Sequence, residues 1–140
     1  MLLSLLRVYS SPEMSRALRT LRRWRDEHGD QFVADWAAAM PTGGDPEARE
    51  VDRARRWVTS YFQDVDALRR ARLISKHTMG VAVDKAGVGV LVHVCAPLER
   101  ALNPRVNLRF IARVIALVPA HRRELMPSVP IGGIGDEPEP

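Results

Sequence analysis

Cysteine is almost missing from this chain. Cys95 stands alone among 140 residues, which excludes an intramolecular disulfide and any zinc site built on several thiolates. A lone thiol suits a reducing compartment, so the cytoplasm is the expected location, with the cytoplasmic membrane face as the alternative. Lysine is nearly as scarce: Lys76 and Lys85 are the only two among 21 basic residues. Positive charge is therefore carried by arginine, whose planar fork matches carboxylates and phosphates. A GC-rich genome would write the same bias with no functional demand behind it. Long apolar runs are lacking as well. The stretch Leu2-Leu3-Ser4-Leu5-Leu6 breaks at Arg7, far short of the roughly 20 residues that cross a bilayer. Its charge follows the apolar part, the reverse of a secretory signal. It reads as a helix or extended arm lying on the body, with a weak interfacial anchor as the alternative.

What remains describes one domain. The length fits a single core, and a net charge of +4 permits an acidic partner while falling short of a dedicated nucleic-acid module. Residues 1–126 are read as the domain. Residues 127–140, made of glycine, proline and acid with little periodicity, are read as a disordered tail.

Helical periodicity dominates the body. Ser10 and Glu13 have capping-box spacing, Pro12 suits a first turn, and Met14, Ala17, Leu18, Leu21 and Trp24 form one stripe that ends at His28-Gly29. Asp30 reads as the cap of a short helix carrying Phe32, Val33, Trp36 and Met40. After the loop at 41–44, Asp45-Pro46-Glu47 starts the longest element, the spine of the bundle. Ala48, Val51, Ala54, Val58, Tyr61, Phe62, Val65 and Leu68 hold helical phase there over about seven turns. Glu50 and Arg53, and Asp52 and Arg56, have pairing spacings on it. The cations Arg69, Arg70 and Arg72 suit the negative end of its dipole.

Ser75 is expected to cap a further short helix. Between residues 81 and 95 the local signals conflict. The valines favour two strands joined at Lys85-Ala86-Gly87, but an isolated hairpin is marginal, and a buried helix is the favoured reading. Leu98, Ala101 and Leu102 extend the pattern to Asn103-Pro104. Leu108, Ile111, Ala112, Ile115 and Ala116 mark a last amphipathic helix ending near Pro119. The expected fold is thus all-α, a compact bundle of about five or six helices, with an α+β fold carrying a hairpin at residues 81–95 as the alternative.

The run Ala54-Arg55-Arg56-Trp57-Val58-Thr59-Ser60-Tyr61-Phe62-Gln63-Asp64-Val65, followed by Leu68 and Arg72-Leu73-Ile74-Ser75, resembles the bacterial domain-of-unknown-function family 4760. The resemblance covers about half the chain. It implies a helical domain, often placed behind a membrane helix, and no defined activity. Gln63 stands where the family pattern has an acid and Arg72 where it has glycine, and no membrane-length apolar run precedes the matched segment.

Chemistry is sparse. His28, His77, His93 and His121 are scattered, with no pair at the one-turn spacing of a helical metal site. His93 and Cys95 would share a face on a strand and diverge by about 200° on a helix; a buried thiol beside an incidental histidine is the commoner arrangement. Gly80, Gly87 and Gly89 complete no phosphate-binding fingerprint. No catalytic, metal or cofactor-binding residue is assigned and no cofactor is expected. The remaining lead is Arg16, Arg19, Arg22, Arg23 and Arg25 beside Trp24, a face able to meet an acidic protein surface or phosphate. The expected function is a non-enzymatic protein-interaction or regulatory domain near a membrane surface. Nucleic-acid binding through the arginine face is second, and a small enzyme third.

Overall fold

The computed structural model describes residues 2–42, 45–75 and 83–118. Seven α-helices make up almost all of it, with no strand among the described residues. They are α1 (Leu2–Tyr9), α2 (Pro12–His28), α3 (Phe32–Ala39), α4 (Pro46–Arg70), α5 (Lys85–Val90), α6 (Ala96–Leu102) and α7 (Arg109–Leu117). The fold is an all-α bundle. A π-helical turn, Leu91–Cys95, joins α5 to α6 without interruption, so the valine-rich run is helix from Lys85 onward and the hairpin does not form there. The expected helix after Ser75 and the tail 127–140 lie outside the described residues.

Local chemistry sets the element ends. Ser11, not Ser10, caps α2: its Oγ accepts from the Met14 amide at 3.2 Å and donates to the Val8 carbonyl at 2.6 Å. Pro12 directly follows the cap, where its missing N–H costs nothing. Gly29 ends α2 with φ +56, a left-handed value that glycine adopts without strain. Asp30 is not a cap. It sits in a short 3-10 turn, Gly29–Gln31, and α3 begins without a side-chain cap bond. Asp45 does cap α4, accepting from the amides of Glu47 and Ala48 through Oδ1. At the far end of α4 the Leu73 amide reaches back to the Leu68 carbonyl, and Arg72 takes φ +58. A Schellman-type stop usually places glycine there.

The long helix is the spine. Helix α2 packs along it in the most extensive contact of the bundle, α7 and the π turn cover it elsewhere, and α3 rests on α2 and α6. Met14, Leu21, Trp36, Val51, Val58, Phe62, Val65, Leu91, Leu98 and Ile111 are fully buried. Both core tryptophans are hydrogen-bonded: Trp24 Nε1 donates to the Phe32 carbonyl at 2.9 Å and Trp36 Nε1 to the Ala48 carbonyl at 3.2 Å. The stripes of α2 and α4 are buried as the periodicity predicts, Leu68 only partly. Two details differ. Leu102 is exposed, and α7 buries Phe110, Ile111, Val114 and Leu117 while Ala112 faces outward.

Two charged side chains, Arg55 and Asp66, enter the core against type, Asp66 accepting from Arg113 Nε at 2.7 Å and Nη2 at 3.0 Å. Arg55 is buried, bonded to Asp52 through Nε at 3.2 Å and Nη2 at 2.8 Å, and to Glu99 of α6 through Nη1. It shares a helix face with Val51, Val58 and Phe62, and its two carboxylate partners satisfy a charge that burial alone would destabilise strongly.

Candidate functional site: a groove around Trp57

Trp57 is the exception among the three tryptophans. Trp24 is 3% exposed and Trp36 1%, whereas Trp57 is 43% exposed. It lies one turn beyond Arg53 on α4, off the buried stripe. Helix α1 stands beside it, and between them runs a groove of about 450 Å³. Val8, Trp57 and Tyr61 form its apolar wall, while Arg53, Arg56, Ser60 and Asp64 form its polar rim. A second hollow of about 170 Å³ lies on the α2 side, where Arg16, Ala17 and Thr20 face Arg53 and Trp57, with Glu13 and Glu50 at its edges. Trp57 and Arg53 border both.

The rim arginines are held only loosely. Arg53 Nη1 meets Glu50 Oε1 at 2.8 Å and Arg56 Nε meets Asp52 Oδ2 at 3.3 Å, with both arginine side chains largely exposed. Such pairs are worth about 0–1 kcal/mol, so either guanidinium exchanges its partner at little cost. Arg16, Arg19, Arg22 and Arg23 are exposed on α2 and make no ion pair among the described residues. Arg25 stands apart from these four: it is half-buried, with its guanidinium 5.0 Å from the centre of the Phe32 ring. The structure thus brings Arg16 beside Arg53 and Trp57 and turns Arg25 toward the α3 junction.

The groove wall is anchored from behind. The Tyr9 and Tyr61 rings lie 5.4 Å apart, and the Tyr9 hydroxyl donates to Asp84 Oδ2 at 3.1 Å. Burial and the neighbouring Asp84 carboxylate raise the Tyr9 pKa, and burial pushes Tyr61 up to about 12. Both phenols stay neutral at physiological pH.

Among the described residues the histidines and the thiol make no reactive constellation. His28 Nδ1 pairs with Asp35 Oδ2 at 2.7 Å, and its ring stacks on Trp24. His93 Nε2 is buried without a hydrogen-bond partner among the described residues. Burial, and then Arg25, lower the His93 pKa. Cys95 is fully buried, and burial pushes its thiol up to about 12. The two residues are two apart in a helical segment and so diverge. His77 and His121 lie outside the described residues. Among the described residues no three His, Cys, Asp or Glu side chains group as a metal site, and no helix is long and apolar enough to cross a membrane.

The arginine lead was legible in sequence, but the groove was not. Its signal is an aromatic residue out of phase with its own helix stripe, a turn away from arginine. No family model, curated protein or solved structure matches this chain.

Proposed function

We propose that this chain is a non-enzymatic helical interaction domain, regulatory in role, and that it docks a protein segment bearing apolar and acidic side chains in the groove around Trp57. The observation that carries this reading is the half-exposed indole of Trp57, flanked by Tyr61 and by the loosely held guanidiniums of Arg53 and Arg56. Tryptophan, tyrosine and arginine are the residues that most often dominate binding energy at protein interfaces. Resemblance to family 4760 supports a helical domain working near a membrane surface. Arg72, where that family's pattern has glycine, takes the left-handed backbone that glycine favours.

The test is capture from host lysate by the wild-type chain and by Trp57→Ala and Arg53→Glu variants, each with and without nuclease. A protein retained through nuclease and lost with both variants, at unchanged melting temperature, is the expected result. Capture indifferent to both substitutions would overturn the proposal. The exposed arginines of α2, which make no ion pair among the described residues, favour nucleic acid as the second reading. In that case everything captured disappears with nuclease, and binding falls steeply with salt.

A further inference from the structure

We infer that the chain's own segment 129–140 occupies the groove around Trp57, so that a partner must displace it; this rests on the docking reading above. The segment offers the two chemistries that the groove presents. Val129, Pro130, Ile131 and Ile134 are apolar, and Asp136, Glu137 and Glu139 follow them. Val8, Trp57 and Tyr61 supply an apolar wall for the first group, and Arg53 and Arg56 stand on the rim in exposed pairs with Glu50 and Asp52, able to exchange those partners for the second. Arg16, without an ion pair among the described residues, borders the adjoining hollow.

Charge divides along the same line. Residues 127–140 carry three acids and no basic residue, while residues 1–126 carry all 21 basic residues and 14 acids. The acidic segment is therefore attracted to its own body, where Arg53 and Arg56 sit in exposed pairs that exchange readily. Its prolines add a second advantage. Pro130, Pro138 and Pro140 fix φ and favour extended backbone, so less conformational freedom is lost on docking against an aromatic wall.

The tether is long enough. Val118, buried at the end of α7, follows a helix packed on α4. The stretch from there to Asp136 spans up to about 60 Å when extended. A folded body of this size is roughly 35 Å across, so every face is within reach. Tethering also holds the segment at an effective concentration of about 1 mM, enough to favour contacts too weak to form between separate molecules.

The experiment uses the full chain and acrylamide quenching of tryptophan fluorescence. Subtracting a Trp57→Phe variant isolates the Trp57 signal from the buried Trp24 and Trp36. In an Asp136→Asn, Glu137→Gln, Glu139→Gln chain the quenching of Trp57 should rise about twofold. Unchanged far-UV circular dichroism in the triple variant assigns the rise to the segment and not to unfolding. A Val129→Ser, Ile131→Ser full chain provides a second route to the same rise. Equal quenching in wild type and both variants would overturn the inference. So would shielding of Trp57 that appears only at high protein concentration, which points to a second copy. If quenching is equal but Trp57→Ala still abolishes capture, only the segment's role fails and the docking reading stands.

Discussion

The hydroxyl of Tyr9 donates to Asp84, 75 positions further along the chain, while the other oxygen of the same carboxylate caps α5 through the Ala86 amide. One side chain thus fixes both the short first helix and the start of the fifth. Gly87 makes room for this. A Cβ there would lie 2.5 Å from the Tyr9 hydroxyl oxygen. Tyr9→Phe should cost about 0.5–1.5 kcal/mol. Gly87→Ala gains about 1 kcal/mol of helix propensity and loses the Tyr9 bond, leaving a small net change. Removing the hydroxyl relieves the closest contact, so Gly87→Ala should be less harmful in a Tyr9→Phe background. A double-mutant cycle by urea denaturation measures this coupling; strict additivity would contradict the geometry.

Two aromatic residues on α4 should respond in opposite ways to truncation. Phe62 is fully buried, and Phe62→Ala should cost about 3–5 kcal/mol. Trp57→Ala, five residues earlier and half-exposed, should cost less than about 1 kcal/mol while removing the apolar wall of the groove. Chemical denaturation of the two variants side by side distinguishes a core position from a binding position.

Arg55 couples α4 to α6 through Glu99. Glu99→Ala leaves the buried guanidinium with Asp52 alone and should cost about 2–4 kcal/mol, near the lower end for breaking a buried pair because one partner survives. Arg53→Ala, on the exposed side of the same helix, should move stability by less than about 1 kcal/mol. Comparable costs at the two positions would mean that Arg55 is not satisfied as described.

Stability should fall at both ends of the pH scale, for different reasons. Cys95 rises from an ordinary 9.0 to about 12 and Tyr61 from 10.0 to about 12. Each holds its proton in the folded state after the unfolded chain has released it, so stability is lost as pH rises from about 9 toward 12. His93 shifts down from 6.5, so the unfolded chain takes up that proton first and stability is lost as pH falls below 6.5. Cys95→Val should flatten the onset of the alkaline loss in melting temperature against pH. The same burial predicts that Cys95 reacts with a thiol reagent at pH 8 only after denaturant is added.

Arg72 holds φ +58 in a position suited to glycine. Arg72→Gly should stabilise the chain by about 1 kcal/mol, the scale of the left-handed penalty for a residue with a Cβ. Thermal melting checks the sign, and a fall would mean that the Arg72 side chain contributes more than its backbone costs.

The fold was legible wherever apolar spacing and caps agreed, as along Ala48 to Val65 with Asp45 and Pro46 at its head. Errors arose where two similar signals competed. Ser10 and Ser11 are both capable caps, but the proline that starts the helix directly follows Ser11. In α7 the stripe through Ala112 and Ala116 gave way to one through Phe110, Val114 and Leu117, because larger side chains remove more apolar area from water. The valines of residues 88–94 carry strand propensity, yet they form helix since burial against α2 and α4 outweighs it. The groove could not be read in sequence. Its wall is assembled from Val8 and Trp57, 49 positions apart, and only the packing of α1 beside α4 brings them together.

The π turn ends with the Ala96 amide bonded to the Leu91 carbonyl, five residues back. It therefore holds one residue more than an α-helix would place in that span, and that residue sets the rotational phase of everything after it. Shortening the turn by one would rotate α6 by about 100°, swinging Leu98 out of the core and Glu99 away from Arg55. Deleting one residue from Leu91–Cys95 should therefore disrupt the bundle, because this turn acts as a spacer that keeps two halves of one helix facing their separate neighbours.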